Sequence, residues 1–182
     1  MWPWGHLATG YLLYSGYCAA RSRNPPTDIT VLALALGTQF PDLIDKPLAW
    51  NVGILPTGRS LTHSLLSASV ILGCLYYFSY RGTRRDIWVA FAIGYLSHLI
   101  ADIALPLLQG DTAYANFLLW PFLSTPPYKT APSFTAHFTN MEFTWFFVFQ
   151  LFLVVLAIYY WFRDGFPGLR NGRDILPNKQ SK

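Results

Sequence analysis

A histidine and an aspartate stand four residues apart in Gly94-Tyr-Leu-Ser-His-Leu-Ile-Ala-Asp102, inside an otherwise apolar stretch. On a helix, positions i and i+4 share a face, so His98 and Asp102 can address one cation or one proton from the same side. Ionisable groups in such surroundings are costly to desolvate and mark functional positions. His6, Asp42, Asp45 and His63 fall at the ends of other apolar segments. The six offer imidazole nitrogens and carboxylate oxygens and no thiolate, a donor set that suits zinc or another first-row divalent ion. Six donors exceed one tetrahedral shell. That predicts either two ions, or one ion whose histidines are oriented by outer carboxylates.

Positioning these residues falls to a chain of 182 residues that is 53% hydrophobic, 18% aromatic and only 12% charged. The charged fraction is about half that of soluble domains, and the length fits a single domain. The composition therefore reads as an all-α, polytopic membrane bundle. Five apolar segments can be drawn, about 6–20, 29–44, 61–80, 87–108 and 143–162. The last three reach the roughly 20 residues that span a bilayer, while the first two, interrupted by Gly10, Gly16 and Gly37, read as helices that start or stop against protein. Met1-Trp-Pro-Trp-Gly5 carries no basic side chain, so segment 6–20 is read as part of the mature protein and not as a signal peptide. Cys18 and Cys74 lack any Cys-x-x-Cys spacing and are read as packing residues.

The net charge of +4 comes from basic residues grouped between apolar segments, which serve as topology signals and not as a nucleic-acid surface. Arg21 and Arg23, then Arg81, Arg84 and Arg85, then Arg163, Arg170, Arg173, Lys179 and Lys182 fall on one side; Lys46, Arg59 and Lys129 fall on the other. The positive-inside rule then predicts an N-terminus outside and a C-terminus inside. Residues 1–165 form the membrane-embedded domain, 45–60 and 109–142 its long outer loops, and 166–182 a polar cytoplasmic tail. Counting ~1.5 Å per residue from the inner helix ends, the six candidate donors sit on the order of 16 to 27 Å up a ~30 Å hydrocarbon core. This predicts a polar pocket sunk into the outer leaflet. Arg59, four residues before His63, is placed to clamp a phosphate oxygen, and Asp45 to act as general base or as an outer carboxylate.

Gly5-His6, Pro41-Asp-Leu-Ile-Asp45, Arg59-Ser-Leu-Thr-His-Ser-Leu-Leu66, Gly94 to Asp102 and Leu118-Leu-Trp-Pro121 together resemble the YdjM-like inner-membrane family, described as metal-dependent hydrolases. The resemblance runs over residues 5–122. Where the family often reads Pro-Asp-x-Asp-His, this chain has an extra residue between the acids and Lys46 after them; Gly58-Arg-Ser60 replaces a His-Arg-Gly. The family is in turn similar to zinc-dependent phospholipases C and single-strand nucleases, which carry a His-x-x-x-Asp helix and a later His-x-x-x-Glu. That similarity implies His98 and Asp102 for the first element, and His137 with Glu142 as further ligands for the second, although here these two are five apart.

The expected function is a membrane-bound metal-dependent hydrolase in the inner (plasma) membrane, with its site facing outside. It would act through metal-activated water on a phosphoester of a lipid or lipid-linked substrate. His6, Asp42, His63, His98 and Asp102 would be ligands to one or two zinc ions, and membrane lipid rather than nucleic acid the partner. Two other classes fit less of the pattern. An ion- or proton-coupled transporter needs polar residues at both mouths of its path, and an envelope scaffold with a structural metal needs a closed four-ligand shell.

Overall fold

Thr27 and Thr30 begin the helix that carries two of the candidate acids, the Thr27 amide donating to Thr30 Oγ1 at 3.0 Å in the manner of a capping box. The computed structural model describes residues 1–21, 24–79, 83–125, 139 and 142–169, and within these the chain is all-helical. Helix α1 spans Pro3–Arg21, α2 Asp28–Trp50, α3 Leu65–Ser79 and α4 Thr83–Leu108; a 3₁₀ helix, η1, covers Thr112–Leu119, and α5 runs Trp145–Arg163. Proline at the first position of α1 is favourable, since its missing N–H has no intrahelical partner there anyway. Thr144 caps α5 by accepting from the Phe147 amide at 3.3 Å.

The five expected segments are all helical, but two differ in extent. Helix α2 continues to Trp50, with Pro41 and Pro47 inside it, so Asp42 and Asp45 lie within a helix instead of ending one. Helix α3 begins only at Leu65 and is 15 residues long. Residues 51–64 form an irregular loop whose backbone donors are drawn to Asp45, as described below. By length and composition α4 and α5 are apolar enough to cross a membrane, while α3 is a shorter apolar helix. Val148, Phe152, Val155, Ile158, Tyr159 and Phe162 of α5 are all exposed, an apolar surface of the kind that lipid or a protein partner covers.

Helices α2 and α4 make the closest crossing. A Cβ on Gly94 would stand 2.5 Å from the Leu34 carbonyl oxygen and 2.9 Å from the Thr38 nitrogen, and one on Gly37 would meet the Phe91 carbonyl. Gly37 and Gly94 are therefore where the two helices come closest. This approach brings the α2 backbone to the face of α4 that carries His98. One core cluster, with Ala8, Tyr11, Tyr14, Leu34, Ala90 and Ala157 among its buried residues, joins α1, α2, α4 and α5. A second, formed by Ala68, Phe91, Tyr95 and Leu99, joins α3 to α4. At the far end of α1, Tyr11 Oη and Ser15 Oγ donate to buried Asp164 at 2.9 and 2.6 Å, tying α1 to the end of α5.

Gly94→Leu is expected to force α2 and α4 apart. Overpacking of this kind costs about 1–3 kcal/mol, a fall in Tm of roughly 3–10 °C for a chain of this size. Gly73→Ala, where an added Cβ meets nothing within 4 Å, should leave Tm unlowered, alanine being the better helix former. Thermal unfolding of the two purified variants in one detergent checks the contrast.

Candidate functional site

The two central histidines are each held by one nitrogen and present the other. His98, on α4, has Nδ1 2.7 Å from the Thr38 carbonyl of α2. A carbonyl can only accept, so Nδ1 carries the proton and Nε2 is left bare in the neutral ring. His63, in the loop before α3, has Nδ1 2.8 Å from Asp45 Oδ2, and its Nε2 likewise faces inward. The two Nε2 atoms lie 3.1 Å apart. Two bare lone pairs at that separation repel unless a cation stands between or beside them. A proton on one of the two nitrogens relieves that repulsion. A divalent ion would serve both rings.

Carboxylates complete the cluster. Asp42 Oδ1 is 3.5 Å from His63 Nε2 and 3.8 Å from His98 Nε2. Asp102 Oδ2 is 3.7 Å from each of the same nitrogens. Around a tetrahedral zinc with bonds of ~2.0–2.2 Å, ligand atoms stand roughly 3.3–3.6 Å apart; the triangle of His63, His98 and Asp42, with edges of 3.1, 3.5 and 3.8 Å, brackets that range. His6 stacks on His98 with ring centroids 3.7 Å apart, and its Nε2 is 3.3 Å from Asp102 Oδ1. Two groups, His6–His98–Asp102 and Asp42–His63–His98, each bring three possible ligand atoms within 4.8 Å of one another. His6 Nδ1 is buried without a hydrogen bond, while His6 Nε2 and Asp42 Oδ1 have Asp102 and His63 beside them, at 3.3 and 3.5 Å. Buried polar atoms are rarely left so, which points to an ion, water or substrate as the partner.

Asp45 is placed differently. It is fully buried, and accepts from the amides of Ser60 and Thr62 at 2.9 Å each, from Thr62 Oγ1 at 2.7 Å, and from His63. With its oxygens engaged in this way it orients His63 and shapes the loop; it belongs to neither three-donor group. Arg59 also departs from the simple expectation. Its Nε and Nη2 grip Asp102 Oδ2 and Oδ1 at 2.8 and 3.1 Å, and the Met1 amino nitrogen lies 2.7 Å from Asp102 Oδ1. The predicted phosphate clamp is thus paired with a carboxylate. Glu142 is exposed and outside both groups. His137 lies outside the described residues.

Several contributors carry no spacing signal. The Thr38 carbonyl is backbone. Tyr95 Oη donates to the Thr62 carbonyl, and Phe117 of η1 packs edge-on against His63 at 5.9 Å. Gln150 of α5 accepts from the Trp2 amide at 2.8 Å, fixing the start of α1 four residues before His6. Lys46 binds Asp42 Oδ2 at 2.6 Å; its position, four after Asp42 on the same helix face, could have revealed it.

The family model for the YdjM inner membrane protein matches residues 1–165. The chain belongs to that family, as the motifs at His6, Asp42, His63 and His98 implied. No curated protein and no solved structure matches it.

Asp45→Ala strips the acceptor from three amides, one hydroxyl and one imidazole. In hydrogen exchange, the Ser60 and Thr62 amides should lose protection in this variant while the core amides of α4 keep theirs. Unchanged protection at both loop amides would contradict the role given to Asp45.

Proposed function

We propose that this member of the YdjM inner membrane protein family is a metal-dependent hydrolase of phosphoesters, with a lipid or lipid-linked substrate, and that the facing Nε2 atoms of His63 and His98 mark its metal centre. The single observation that carries this reading is that pair of inward nitrogens 3.1 Å apart, each fixed in the metal-binding tautomer by a partner on Nδ1. Asp42 Oδ1 would supply the third donor; Asp102 and His6 stand beside it. His98 has only Nε2 to offer, since Nδ1 is committed to Thr38, and the two three-residue groups share it. That favours one ion over two. Imidazole and carboxylate donors without sulfur favour zinc among the common divalent ions, and three protein donors are the pattern of catalytic sites, which keep a further position for water or substrate.

A divalent ion held there would lower the pKa of water towards 7 and neutralise charge growing on phosphoryl oxygens. Around it, Asp45 keeps His63 in the correct tautomer, Thr38 does the same for His98, and Phe117 limits water on the His63 side. Asp42 has one oxygen directed at the histidines and the other bound to Lys46. A site at the level of the outer leaflet, within a bundle whose α5 surface is apolar, suits a substrate drawn from the membrane. The transporter reading is less well supported. Between this cluster and buried Asp164 lies the apolar layer of Ala8, Leu34 and Ala90, the last two wholly buried.

Zinc content and chelator-sensitive hydrolysis of a phosphodiester lipid panel test the proposal. The wild-type protein should retain about one zinc per chain, and the His98→Ala, Asp102→Ala double variant essentially none, with activity lost in parallel. Equal, negligible zinc in both proteins would sink it.

A further inference from the structure

The His and Asp cluster is closed on most sides, and its solvent-facing members are cations. The side chains of His6, His63, His98, Asp45 and Asp102 are at most 1% exposed, that of Asp42 9%, Lys46 12% and Arg59 28%. Lys46 holds the outer oxygen of Asp42 while the inner one faces the histidines. Arg59 holds both oxygens of Asp102 from another side, Oδ2 facing the histidines included. A solute arriving at the inward nitrogens therefore meets two positive groups first.

Lys46 is also unusually constrained for a lysine. Its stem lies against Gly58, where a Cβ would come within 3.2 Å of Lys46 Cγ, and its ammonium lies 5.6 Å from the centre of the Trp50 ring. Rotamer freedom that an exposed lysine would lose on gripping a ligand is already restricted here. Charge balance points the same way. Three carboxylates, Asp42, Asp45 and Asp102, face two side-chain cations, leaving one negative charge when the histidines are neutral. A divalent ion turns that into one positive charge. Excess charge in a buried site is costly unless an opposite charge joins it.

We infer that Lys46 and Arg59 form a two-cation clamp for the oxygens of a phosphoryl group, with Lys46 as a substrate-binding residue. The inference rests on the metal reading of the same site. A phosphoryl group has three acceptor oxygens or more and can engage an ion and both cations at once; a carboxylate has two. Lys46 and Arg59 differ in what they contribute. Arg59 orients its acceptor through a planar fork, whereas Lys46 acts as a movable point charge on a short leash.

The test uses the zinc-loaded full chain in detergent micelles, titrated calorimetrically with inorganic phosphate and, separately, with a short-chain phosphatidic acid. Lys46→Gln keeps a donor towards Asp42 and so preserves the fold, and zinc stoichiometry measured on the same samples verifies the centre. Both affinities should fall about tenfold or more in Lys46→Gln, with Lys46→Arg recovering most of the loss and zinc unchanged throughout. Tighter binding of phosphatidic acid than of phosphate assigns the phosphoryl group to a lipid headgroup, and equal binding assigns it to a free phosphate. Affinities in zinc-loaded Lys46→Gln that match the wild type overturn the clamp alone. A wild-type protein that takes up no zinc overturns the metal reading, and the clamp with it.

Discussion

Everything in the site depends on two imidazoles being turned so that their free nitrogens face each other. A histidine in an apolar bundle can satisfy itself with one hydrogen bond and tuck the other nitrogen away. His63 and His98 do the reverse. Each spends its Nδ1 proton on a fixed acceptor, the Asp45 carboxylate or the Thr38 carbonyl, and both direct Nε2 to one point. Such an arrangement is unfavourable by itself and becomes favourable only with a cation, which is why the surrounding structure must hold it in place.

The holding elements are traceable. Gly37 and Gly94 let α2 and α4 touch backbone to backbone, which is what carries the Thr38 carbonyl to His98. Asp45 gathers the amides of residues 60 and 62, and that same gathering delays the start of α3 and sets His63 at the mouth of a loop instead of inside a helix. Tyr95 of α4 then fastens the loop through the Thr62 carbonyl. Packing, loop shape and ligand geometry are thus one set of interactions.

The pair His98 and Asp102 was legible because helical periodicity turns a four-residue spacing into a shared face, and His6, Asp42 and His63 because ionisable residues are rare in apolar segments. Less visible was anything that depends on the backbone. Nothing in a side-chain pattern reports that a carbonyl on another helix will accept from His98. The extent of α2 was underestimated because Asp42 and Asp45 read as the polar end of an apolar segment, although the helix continues past them, with Pro41 and Pro47 inside it, to Trp50. Asp45 looked as much like a catalytic base as like a structural anchor; only the convergence of loop donors on its oxygens separates the two. Lys46, a mere departure from the family motif in the sequence, is one of the closest partners of a candidate ligand in the folded chain. The segments themselves were plain, since apolar runs bounded by arginines and prolines leave few other arrangements.

The central claim is that one divalent ion sits against His63, His98 and Asp42. Anomalous scattering at the zinc edge, from crystals of the zinc-loaded protein, tests it most directly. The account predicts a single strong peak at about 2.0–2.2 Å from His63 Nε2, His98 Nε2 and an oxygen of Asp42. A peak held by other residues, or no peak with the two rings still facing one another, would contradict it.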